Sequence, residues 1–119
     1  MKEASKWWKH PIADLKTAEY NLRGGMLNAA AFYSQQAAEK ALKALQIKRL
    51  DRFERTHDLV YLAKSVEAPE TIVKPCGLIA PFYTVTRYPD VEVSFGERKV
   101  PSVVEATREV VQWVERTLK

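Results

Sequence analysis

The chain has one cysteine and two histidines in 119 residues. A lone Cys76 excludes a disulfide framework and a thiolate metal site. With only His10 and His57 as possible nitrogen ligands, we expect no metal and no cofactor. No apolar run approaches the roughly 18–20 residues that span a bilayer. The opening residues Met1-Lys2-Glu3-Ala4-Ser5-Lys6 are polar and lack the apolar core of a signal peptide. Internal repeats, low-complexity tracts and linkers are also missing. Together these absences point to one cytoplasmic domain over residues 1–119, long enough for a single hydrophobic core.

What is present is helical. Ala31 to Leu45 contains no Gly and no Pro and is rich in Ala, the strongest helix former. Its small or apolar residues recur at Leu27, Ala30, Ser34, Ala37/Ala38, Ala41 and Leu45, in steps of three and four. That period draws one narrow stripe along a helix, and small side chains on it let a neighbouring helix approach closely. A second line, Gln36, Lys40 and Lys43 with Glu39 beside it, is either a solvated face or one wall of a site. We expect a central helix from about Met26 to Arg49, roughly 36 Å long at 1.5 Å per residue.

Around it the pattern gives further helices. Trp8, Ile12, Leu15, Ala18 and Leu22 share a face between Ser5 and Arg23, with Pro11 marking either a start or a kink. Gly24-Gly25 ends that helix, and so short a connection makes the next one antiparallel. Thr56 is placed to cap a short helix from His57 to Ser65. Residues 68–86 read as a kinked or broken helix, because Pro75 and Pro81 interrupt it. Arg87-Tyr88-Pro89-Asp90 reads as a turn, followed by a loop to Val100 in which Val91-Glu92-Val93 allows a short extended piece. Ser102 and Glu105 form a capping box that opens a last helix to Leu118, with Val103/Val104, Thr107, Val110/Val111 and Val114 facing inward. The expected fold is all-α, a four-helix bundle with an additional short helix.

Charge is unevenly placed. Residues 40–55 hold Lys40, Lys43, Lys48, Arg49, Arg52 and Arg55 against Asp51 and Glu54, a surplus equal to the net +4 of the whole chain. Such a patch attracts phosphate, or it is a solvated helix end complementing the helix dipole. Trp7 and Trp8 are expected in the core or in a dimer contact, and Cys76 as a buried, inert thiol. Three Trp and five Tyr in so small a bundle leave apolar surface to cover, which a two-fold homodimer does most simply.

Four segments, in order, carry a resemblance to a known family. They are Trp8 followed by Ala13-Asp14-Leu15, then Gln35-Gln36-Ala37-Ala38-Glu39-Lys40-Ala41-Leu42-Lys43-Ala44, then Thr56-His57-Asp58-Leu59, and last Arg87-Tyr88-Pro89-Asp90. Across nearly its whole length the chain resembles the HEPN family. The resemblance implies an up-and-down bundle, usually homodimeric, often accompanying a small nucleotidyltransferase encoded alongside. Some members are metal-independent RNases of toxin–antitoxin systems. Those RNases carry an Arg, four to six residues and a His near the start of the last helix, whereas here no His follows His57. Arg52 and His57 have four residues between them, but before the third helix.

Two candidate sites result. His57 has the chemistry of a general base toward a ribose 2′-hydroxyl, with Arg52 or Arg55 stabilising charge on the attacked phosphate. For nucleotide or phosphate binding the candidates are Gln36, Lys40 and Lys43 on the central helix, with Arg87 to hold phosphate and Tyr88 to stack on a base. The leading expectation is a nucleotide- or RNA-binding HEPN module with a nucleotidyltransferase partner. The alternatives are an RNase and a non-catalytic structural dimer.

Overall fold

Two long antiparallel helices, α1 (Lys2–Arg23) and α2 (Leu27–Leu50), meet at Gly24-Gly25. The computed structural model describes residues 2–86 and 98–119, with side chains from Trp8 onward except Val85. The expected turn at Arg87-Tyr88-Pro89-Asp90, the extended piece at Val91-Glu92-Val93 and the Trp7 side chain lie outside the described residues. Gly25 adopts φ +76°, and its N–H donates to the Leu22 carbonyl at 3.1 Å while the Met26 N–H donates to that of Asn21 at 2.8 Å. These paired bonds satisfy the carbonyls that a helix end leaves open. At the other end α1 begins three residues earlier than its periodicity suggests and runs through Pro11 without a break.

Helix α2 is the axis of the bundle. From Ala41 to Ile47 every residue is buried, so neighbours surround this part of it on all sides. Helix α1 packs along it, α6 (Val100–Leu118) lies on another side, and the short α3 (Leu59–Ser65) and α5 (Phe82–Val85) also touch it. Leu42, Leu45 and Ile47 of α2 join Leu59, Leu62, Ile79, Val103, Val104 and Val110 in the core. Trp8 packs against this core half-buried. Among the described residues there is no strand, and the architecture is the expected all-α bundle.

Two helix starts differ from expectation. Asp58, not Thr56, is the N-cap of α3: its carboxylate accepts from the Tyr61 N–H at 3.1 Å, while Thr56 Oγ1 accepts from the Asp58 N–H at 3.2 Å. His57 therefore precedes the helix. Helix α6 begins at Val100 without a side-chain cap, so Ser102 lies inside its first turn. Pro101, whose fixed φ suits a first turn, lets the helix start early, and Glu105 pairs with Arg108 instead of capping. The broken helix at 68–86 resolves into α4 (Glu70–Ile79) and α5, divided at Ala80-Pro81. Pro75 stays within α4; lacking an N–H, it leaves the carbonyl of exposed Thr71 without its helical donor. Cys76, fully buried on α4, has its thiol pushed up to about 12 by burial.

Candidate functional site

On α2, Gln35, Glu39 and Lys43 are spaced four apart and so stand one above another along the helix. Gln35 Nε2 donates to Glu39 Oε1 at 2.9 Å, and Lys43 Nζ donates to Glu39 Oε2 at 3.0 Å. Gln36 Nε2 extends the chain to Gln35 Oε1 at 2.8 Å. All three ladder residues are buried, so a carboxylate and an ammonium sit together away from water. Burial pushes the Glu39 carboxyl up, but hydrogen bonds from His57, Gln35 and Lys43 and the Lys43 charge outweigh it, and the net shift is downward. Glu39 is accordingly ionised at neutral pH.

The loop between α2 and α3 delivers His57 to this carboxylate. His57 Nδ1 lies 2.9 Å from Glu39 Oε1. An ionised carboxylate can only accept, so Nδ1 carries the proton and donates it. Nε2 is then the nitrogen left to act on something else, and it makes no hydrogen bond among the described residues. The ring stacks on Tyr83 of α5, with centroids 4.2 Å apart and planes inclined by 21°, and the side chain remains 49% exposed. Glu39 and Tyr83 thus fix an imidazole whose outer edge faces solvent.

The same loop is anchored behind His57. Gln46, fully buried on α2, accepts from the Glu54 N–H at 3.1 Å through Oε1 and donates from Nε2 to Ser65 Oγ at 2.9 Å. Tyr61 donates its hydroxyl to Glu54 Oε2 at 2.7 Å. Phe53 lies beside the ladder, with Lys43 Nζ 5.6 Å from its ring centroid, within cation–π range.

The basic surplus of residues 40–55 does not gather into one patch. Lys40 pairs with Asp14 of α1 at 2.8 Å, and Lys43 is sequestered by Glu39. Lys48 donates to the Leu118 carbonyl and Arg49 to that of Val66, tying α2 to α6 and to the end of α3. Arg52 is exposed and lies 3.8 Å from Glu54, and Arg55 is exposed without an ion pair among the described residues. Neither arginine bonds to the His57 cluster. The row of Gln36, Lys40 and Lys43 is likewise divided: Gln36 bonds within the ladder, Lys40 turns to α1 and Lys43 points into the protein. Arg87 and Tyr88 lie outside the described residues.

Sequence reasoning missed the partners of His57. Glu39 stood beside the candidate row, and the spacing Gln35, Glu39, Lys43 was visible as a helical ladder. Nothing local signals Tyr83, which a separate helix brings to the ring. Among the described residues no helix is long and apolar enough to cross a membrane, and no group of three or more His, Cys, Asp or Glu side chains gathers as a metal site requires.

Comparison with known proteins agrees with this architecture. No curated protein sequence matches the chain significantly. The structure is similar to the crystal structure of TT1696 from Thermus thermophilus, with a TM-score of 0.87, 26% identity and 98% of each chain covered. It is also similar to the crystal structure of an archaeal HEPN homologue, with a TM-score of 0.81, 30% identity and 100% of each chain covered. The family model of the HEPN domain matches residues 4–117, and the chain belongs to the HEPN domain family.

Proposed function

We propose that this HEPN domain is a nucleotide- or RNA-binding module that works as a homodimer with a separately encoded small nucleotidyltransferase, in a toxin–antitoxin-like system. The arrangement of His57 carries this reading: the imidazole is held by Glu39, backed by Tyr83 and open on its outer edge. The open edge of the fixed imidazole offers a base or a phosphate a hydrogen bond through Nε2, and the exposed Arg52 and Arg55 on the same loop offer charge to phosphate. Arg87 and Tyr88 are the further proposed ligand contacts.

Fluorescence anisotropy with a labelled single-stranded RNA tests the module directly. Wild-type protein binds with an affinity that falls as salt rises, and His57→Ala and Arg55→Ala each weaken binding by about tenfold. Equal affinity of wild type and both variants would remove the site from the proposal.

A second reading is favoured by one observation, the carboxylate behind the imidazole. A carboxylate accepting from Nδ1–H leaves Nε2 as the basic atom, the orientation a general base needs to take a proton from a ribose 2′-hydroxyl. In that case the protein is a metal-independent RNase using His57, with Arg52 or Arg55 stabilising the attacked phosphate. Cleavage of the same RNA in EDTA, lost in His57→Ala, selects this reading, and intact RNA with a folded protein selects the binding module.

A further inference from the structure

The chain has two histidines, and the fold treats them differently. His10 stands exposed on α1 and makes no hydrogen bond or ion pair among the described residues. His57 is held on one edge and one face. Its Nδ1 proton goes to Glu39 at 2.9 Å, and its ring lies on Tyr83 with centroids 4.2 Å apart. Glu39 is in turn fixed by Gln35 and Lys43 at 2.9 and 3.0 Å. The lone pair left over is on Nε2, at the open edge of a side chain that is 49% exposed.

That is the construction of an activated nucleophile: a reacting atom within reach of solutes, joined through its ring to a base that further groups orient. Attack by Nε2 turns the ring into an imidazolium. The positive charge then develops beside a carboxylate that is already ionised and in place. The charges around the open edge suit a phosphoryl group as the electrophile. Glu54 accepts the Tyr61 hydroxyl at 2.7 Å, and Asp58 turns its carboxylate to the Tyr61 N–H at 3.1 Å. Arg55, exposed two residues before the ring, makes no ion pair among the described residues. A phosphoryl dianion approaching His57 thus meets an uncommitted guanidinium on the same loop.

We propose that His57 is a phosphoryl-accepting residue that takes its phosphoryl group on Nε2 from a small acyl phosphate. The Nε2 lone pair forms a bond to phosphorus, and the bond from phosphorus to the acyl oxygen breaks. The electron pair of that bond leaves on the carboxylate product. The Nδ1 proton stays on the ring and is shared with Glu39, which offsets the imidazolium charge. A carboxylate leaving group suits the step because the phosphorus–nitrogen bond formed is itself reactive. The step uses neither RNA nor a partner protein, and so goes beyond the binding reading above.

Acetyl phosphate is the probe, added to the whole chain without RNA. Phosphorylated positions are mapped by mass spectrometry under alkaline conditions, which preserve phosphohistidine. His10 serves in the same sample as the exposed imidazole without a carboxylate behind it. His57 is expected to react about tenfold faster than His10 or more, and nuclear magnetic resonance is expected to place the phosphoryl group on Nε2. The double variant Glu39→Gln/Lys43→Met removes the carboxylate together with its buried counter-charge. In that variant, checked for helical content, the rate at His57 is expected to fall to that at His10. Equal rates at the two histidines of the wild type overturn the proposal, whether or not the variant folds, and so does a phosphoryl group found on Nδ1. A rate at His57 that the folded double variant keeps overturns the part given to Glu39. Loss of RNA binding, measured separately, bears only on the function proposed above.

Discussion

Glu39 receives hydrogen bonds from three side chains, and its charge is what they share. Glu39→Gln keeps the shape but leaves Lys43, whose side chain is only 7% exposed, without a counter-charge. Breaking a buried pair from one side costs about 3–5 kcal/mol, and urea denaturation of the variant should show a loss of that order. Lys43→Met in the same background should recover part of it, since the stranded charge is then gone. No recovery would mean that the ladder acts through its hydrogen bonds and not its charges. The pH dependence has a definite sign. Above its ordinary value of 4.5 the Glu39 carboxyl is ionised in both the folded and the unfolded chain, and pairing contributes fully. As pH falls from there toward the lower folded value, the unfolded chain takes up the proton first, and the contribution is lost. The stability gap between wild type and Glu39→Gln should therefore shrink on acidification from about pH 7 to about pH 3. A constant gap would contradict the depressed carboxyl.

Element by element, the helix ends are where local signals were most and least reliable. Gly24-Gly25 was legible because two adjacent glycines serve few purposes besides a helix terminus, and the structure gives them separate duties. Gly25 holds φ +76°, where a side chain is strained by about 1–2 kcal/mol. A Cβ on Gly24 would meet only the carbonyls of Tyr20 and Asn21 at 3.6 and 3.8 Å, which is ordinary contact. Gly25→Ala should thus lower stability by about 1 kcal/mol and Gly24→Ala should not, as thermal melts of the two variants can show. Equal effects would deny the distinction. The starts of α3 and α6 differ from the expected ones, by two residues and by three, for a common reason. Thr56 with Asp58, and Lys99-Val100-Pro101 with Ser102, each offer several competent first turns. Which one forms depends on where Asp58 reaches a free N–H and where Arg108 draws Glu105.

For the whole molecule, the central burial of α2 means that no outer helix has a core of its own. Trp8 on α1 and Trp113 on α6 come from opposite ends of the chain and pack against the same core. Tryptophan fluorescence and far-ultraviolet circular dichroism should then report one coincident unfolding transition, as for a small two-state domain. Separated transitions would show that α1 or α6 detaches independently. The half-exposed His57 cluster is also a property at this scale, since it does not exist within a single helix.

The sequence by itself determined the helical class, the central place of α2 and the inward faces of α1 and α6. These follow from period and propensity, which act over a few neighbouring residues. It also exposed His57 as a chemical candidate, together with the arginines near it. Only the tertiary structure decided which charges meet. The sequence showed six basic residues within residues 40–55, and the fold sent Lys40 to Asp14, Lys43 to Glu39, Lys48 to the end of α6 and Arg49 to the end of α3. It set Glu39 behind His57, eighteen residues away, and brought Tyr83 against the ring from a different helix. The physical reason is that a helix fixes the direction of its own side chains, whereas the partner each side chain finds depends on how the helices pack around the core.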